Sequence, residues 1–179
     1  MKKHLVAMLI TTATGLGMMS GANAVDGTIH FTGAITADAC TVDADSQDMT
    51  VNLGTVASTA FSAAGDKASP TRFTINLSSC PTSLTSASVK FDGVADSANT
   101  DLLQLDASAD PTDDASGVGI EISDNANTVI PLFTASKEYP IDATTQSASM
   151  DFVARYVATA ATVNAGVANA TSQFTVNYQ

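Results

Sequence analysis

Few side chains in this sequence are suited to catalysis. Of two histidines, His4 belongs to the first residues, and His30 is the only one in the body of the chain. No Ser-His-Asp, Cys-His or HExxH arrangement can be assembled around His30, so acyl transfer and metal-assisted hydrolysis lack their base and ligands. The pair Asp113-Asp114 sits in a stretch rich in Ala, Ser and Asp, which reads as a solvated turn. Asp43 and Asp45 are spaced like the start of a calcium loop, but no EF-hand pattern follows them. Cys40 and Cys80 remain. As a zinc pair they would need further ligands, and there is no CxxC and no second nearby histidine. We therefore expect no enzyme, no cofactor and no metal.

What the cysteines do depends on the compartment, and the amino end speaks to that. Met1-Lys2-Lys3-His4 is a short basic region, followed by an apolar run from Leu5 to about Met19 and then Ser20-Gly21-Ala22-Asn23-Ala24, with small residues at both positions of an A-x-A site. This reads as a signal peptide over 1–24, cleaved after Ala24. The run is broken by threonines and glycines and is too short for a spanning helix, so no membrane span is expected. In an exported chain, an even count of two cysteines points to a Cys40–Cys80 disulfide. It closes a long loop, for which the chain-entropy estimate is about 4 kcal/mol. Loss of Lys2 and Lys3 moves the net charge from -11 to about -13. A surface this acidic stays soluble and disfavours nucleic acid as a partner.

The elements that would hold this frame are strands. Thr71–Leu77 alternates with Phe73, Ile75 and Leu77 on one face; Ser88–Phe91 repeats the pattern and ends at the turn signal Asp92-Gly93. Leu103 with Leu105, then Val118, Ile120 and Ile122, then Val129–Phe133 add further candidates around the polar stretch Asp106–Ser116. Met150, Phe152, Ala154 and Tyr156 alternate with Asp151, Val153, Arg155 and Val157, so this strand is apolar on both faces and belongs in the middle of a sheet. A loop of small residues leads to Phe174–Gln179, which alternates to the chain end and is therefore expected to be paired. Sustained helical periodicity is absent, and the composition favours strands and turns. The fold class is all-β, most simply a sandwich.

The first stretch of the mature chain, 25–35, reads Val-Asp-Gly-Thr-Ile-His-Phe-Thr-Gly-Ala-Ile. Ile29, Phe31, Gly33 and Ile35 share one face of an extended chain. Such a strand pairs within its own domain or adds to a neighbour's sheet, and we expect the second.

This extension, the two cysteines, Phe152–Thr159 and the closing Phe174-x-Val176-x-Tyr178-Gln179 together resemble the pilins of chaperone–usher fimbriae, in particular the type 1 main-subunit kind. Gly166, the fourteenth residue from the end, and the penultimate Tyr178 match a glycine and an aromatic that such pilins carry. The resemblance covers the mature chain. It implies an incomplete immunoglobulin-like β-sandwich, 36–179, that lacks its final strand and is completed in trans. Ile29, Phe31, Gly33 and Ile35 would then be the donor strand, with Gly33 passing a constriction. Gly166, Phe174, Val176 and Tyr178 would wall the groove and be held by a chaperone. The implied partners are neighbouring pilin subunits, a periplasmic chaperone and an outer-membrane usher, and the implied destination is the surface fimbrium of a Gram-negative bacterium. The extension is shorter than in many type 1 main subunits, so main rod subunit and minor linking subunit both fit. A glycan-binding fimbrial adhesin is the competing reading. The chain has no tryptophan and three tyrosines, of which only Tyr139 lies outside the expected strands and is free to serve as a sugar platform.

Overall fold

The computed structural model describes residues 27–35 and 39–179. The expected signal peptide, 1–24, and the first two residues of the extension lie outside the described residues, as do 36–38. The chain divides into two units at Ile35 and Thr36. In the first, residues 27–35 form no helix or strand, and Ile29, Phe31 and Ile35 are 77%, 91% and 102% exposed. The side chains expected on one apolar face are thus in solvent within this single chain.

The second unit is a two-sheet sandwich. Its strands are β1 (Thr41–Val42), β2 (Lys67–Ser78), β3 (Ser86–Gly93), β4 (Val118–Asp124), β5 (Tyr139–Pro140), β6 (Ala148–Ala158) and β7 (Ser172–Tyr178). One sheet runs β1-β2-β6-β4 and the other β5-β3-β7, with every strand pair antiparallel. The two-sided apolar pattern of β6 has its cause here. This strand lies between β2 and β4, with Met150 and Phe152 fully buried on the core side and Val153 and Val157 buried on the other. Phe152 sits at the centre of the core, its ring 5.5 Å from Phe73 on β2, 5.1 Å from Phe91 on β3 and 5.5 Å from Tyr139 on β5. Each edge-to-face pair adds about 0.5–1.5 kcal/mol to the burial term, so these rings tie one sheet to the other. Cys40 and Cys80 form a disulfide, S–S 2.11 Å, and both are buried in the same core.

Several elements differ from expectation. Strand β2 begins four residues before Thr71, because a bulge between Ala68 and Thr71 absorbs Pro70, which cannot donate to the ladder. Leu103 makes only isolated bridges, to Ala95 and to Ile120 on the outer edge of β4. Val129–Phe133 is likewise not a strand, although Ile130 and Leu132 are buried. Pro131 interrupts it, and Phe133 takes a left-handed φ of 63° that no regular strand accommodates. The short β1, β5 and the helix α1 (Ala44–Gln47) are too brief to leave a periodic signal. At the carboxyl end the regular pattern is paired through its last residue: the Gln179 carbonyl accepts from the Thr85 and Ser86 N–H groups at 2.7 and 3.2 Å.

Candidate functional site

Among the described residues, strand β7 has one neighbour, β3, and its other edge is free of ladder pairing. Which backbone groups that edge presents follows from the register. The Phe91 and Val89 carbonyls accept from Phe133 and Ser136, on the side of β3 away from β7. Their partners across the ladder, Phe174 and Val176, are therefore in non-hydrogen-bonded pairs. By the alternation of an antiparallel ladder, the N–H and C=O groups of Phe174, Val176 and Tyr178 point out of the free edge. Their side chains turn toward the core yet remain only half-buried, whereas Val89 and Phe91 opposite them are buried.

Beside this edge lies a cavity of about 1180 Å³ whose lining includes 168–174 and 48–54 as well as core side chains of both sheets, among them Phe73, Ile75, Phe91, Ile120 and Ile122. Among the described residues, no backbone hydrogen bond joins the segment 48–54 to β7. The segment is held from beneath instead, where the Ser69 hydroxyl donates to the Leu53 carbonyl. The free edge of β7 and the segment 48–54, which is in no ladder among the described residues, thus border a cavity floored by core side chains, the arrangement expected when a sandwich lacks one strand. A smaller cavity of about 360 Å³ continues it, with Gly54, Tyr156, Ala168 and Asn169 lining both.

The residues expected to wall a groove are divided among these features. Phe174 lines the large cavity and Gly166 the small one. Val176 and Tyr178 lie further along β7, packed against the core, and the Tyr178 hydroxyl reaches the Cys40 carbonyl at 3.4 Å. The need for glycine at 166 has a local cause: a Cβ there would collide with the backbone of Asp113, Asp114 and Ala115, to which the adjacent Val167 is bonded in both directions. Sequence reasoning missed the wall 48–54, although Met49, Val51 and Leu53 alternate there and pack on the core. Tyr139 is not the free aromatic that a sugar platform needs. It is buried, its hydroxyl donates to the Asp151 carbonyl at 2.9 Å, and burial with the nearby charges of Asp124 and Asp151 pushes its pKa up to about 12. Asp43 accepts from the Ser78 hydroxyl, and among the described residues no group of His, Cys, Asp or Glu is placed to hold a metal ion. No helix among them is long and apolar enough to cross a membrane.

A family described as fimbrial protein matches residues 29–179. The chain belongs to the fimbrial protein family. A type-1 fimbrial protein, C chain, of Escherichia coli is 38% identical to this fimbrial protein, with 100% of each chain covered. A type I fimbria protein and antigen of Burkholderia pseudomallei has a crystal structure that is 37% identical, with a TM-score of 0.60 over 85% of this chain and 97% of that one. The P pilus rod subunit PapA, 18% identical, shares the fold with a TM-score of 0.63 over 78% of this chain and 99% of its own. The sandwich of this fimbrial protein is accordingly the incomplete immunoglobulin-like type, and its open edge is β7.

Proposed function

We propose that the chain is a structural subunit of a chaperone–usher fimbria that polymerises by donor-strand exchange, with 1–24 as signal peptide, 25–35 as donor strand and 36–179 as acceptor sandwich. The observation that carries this reading is the apolar groove beside the free edge of β7, in a chain that also has an unpaired apolar segment at 29–35. An extended strand along β7 would pair its backbone with Phe174, Val176 and Tyr178 and turn alternate side chains onto the groove floor. Ile29, Phe31 and Ile35 of a neighbouring subunit have the required spacing, and burying each contributes roughly 1.5–3 kcal/mol. Gly33 fits between them wherever the groove narrows. Until a neighbour arrives, a half-buried edge of this kind invites aggregation, which is the physical reason for a periplasmic chaperone that lends a strand and an outer-membrane usher where the exchange occurs. A glycan-binding role is disfavoured because all three tyrosine hydroxyls bond to backbone carbonyls, of Asp151, Ala168 and Cys40.

The test separates folding from assembly. Deleting Val25–Thr32, or replacing Gly33→Leu, should leave a chain that folds and forms its disulfide but adds to no fibre. Periplasmic fractions and electron microscopy of cells expressing each variant with its secretion partners would show this. Normal fibres from either variant would overturn the donor assignment.

A further inference from the structure

Of the six methionines only Met49 and Met150 follow Ala24, and the chain has no tryptophan. Both cysteines are in the disulfide and no free one is present among the described residues. The two remaining sulfur sites differ sharply in access. Met150 is 0% exposed on β6, in the core between the two sheets. Met49 is half-buried in the groove wall, packed on the core from a segment with no backbone bonds to β7.

We propose that Met49 is an oxidation site that gates assembly: it is open to two-electron oxidants such as hydrogen peroxide while the groove is empty, and shielded once a strand fills it. In the reaction the thioether sulfur attacks a peroxide oxygen and the O–O bond breaks. An S=O bond forms, the sulfur loses two electrons, and the peroxide leaves as water. The product replaces an adaptable apolar side chain in the groove wall with a polar sulfoxide. An incoming strand would strip water from that oxygen above the core side chains of the groove floor, so the oxidised subunit accepts a strand less readily. A sulfoxide is reducible, so the gate reopens when a methionine sulfoxide reductase acts on it. This inference rests on the groove being the strand-accepting site.

The experiment treats unassembled mature chain and finished fibres with excess hydrogen peroxide and maps sulfoxide by mass spectrometry. Met49 should react in the free chain and be protected in fibres, while Met150 stays unmodified in both. Oxidised chain should then polymerise roughly tenfold less than untreated chain, a loss comparable to leaving one buried polar group unpaired. Reductase should restore it, and Met49→Leu, whatever its own starting level of polymerisation, should lose none of that level to peroxide. Should that variant fold poorly, reductase rescue of the wild type carries the same comparison. Protection of Met49 in fibres together with full polymerisation of the oxidised chain would overturn the gate and leave the groove reading standing. Equal reaction of Met49 in free chain and in fibres would overturn both. Loss of Met49→Leu polymerisation to peroxide would overturn the assignment to this residue.

Discussion

Two glycines and one disulfide show how differently a residue can matter to folding and to assembly. Gly166 is pressed against the backbone of Asp113–Ala115, whereas a Cβ on Gly33 would meet nothing within 4 Å. Gly166→Ala should therefore cost about 1–3 kcal/mol of stability, because backbone rather than a flexible side chain must move. Gly33→Ala should leave stability unchanged. Urea unfolding of the two variants would check the contrast, and equal effects would contradict it. The Cys40–Cys80 bond is buried beside the Tyr178 contact at the end of β7. Cys40→Ser should destabilise the domain by about 2–5 kcal/mol and lower the amount of folded chain recovered. A wild-type level of that variant would place the disulfide outside the stability-determining set.

At the scale of elements, β7 is the strand with most at stake. Among the described residues it has one neighbour, its apolar residues are half-buried, and Gln179 just beyond it is stapled to Thr85 and Ser86. Removing Asn177–Gln179 deletes that staple and the Tyr178 hydroxyl bond to Cys40 while leaving Phe174 and Val176. On the proposed reading, the truncated chain should be captured less by a periplasmic chaperone and degraded, which co-purification measures directly. Undiminished capture would show that the free edge is read elsewhere. By contrast β6 has both edges paired and Phe152 packed against three other aromatic rings, so its first role is in folding, although Ala154 and Tyr156 also line the groove.

For the whole molecule, the proposed strand-accepting role of the groove implies that the isolated subunit is not at its stability maximum. A strand that binds the folded chain and not the unfolded one raises stability by mass action. A chain lacking Val25–Thr32 should accordingly melt at a higher temperature when a synthetic peptide of sequence 25–35 is added. The same peptide with Phe31→Ala should raise the Tm less, since its largest apolar side chain is gone. Calorimetry at a fixed peptide concentration provides the comparison, and identical shifts from the two peptides would remove Phe31 from the set of anchors.

Alternation by two residues was sufficient to read the all-β class, the inward faces of β2, β4 and β6, the central place of β6 and the regularity of β7, because a strand's side-chain period is a local property of the backbone. The cysteine pair was legible for a similar reason: with two cysteines there is one connectivity. The order β1-β2-β6-β4 over β5-β3-β7, the burial of Tyr139, the wall at 48–54 and the collision that requires Gly166 were settled only in three dimensions. Each depends on a segment distant in sequence. Tyr139 is covered by Phe152 and Asp151, and Gly166 by 113–115. Which backbone groups the open edge of β7 presents depends on Phe133 and Ser136 bonding to the far side of β3. Local periodicity states which face of a strand is apolar; only tertiary packing decides which apolar faces find cover within the chain and which are left half-buried.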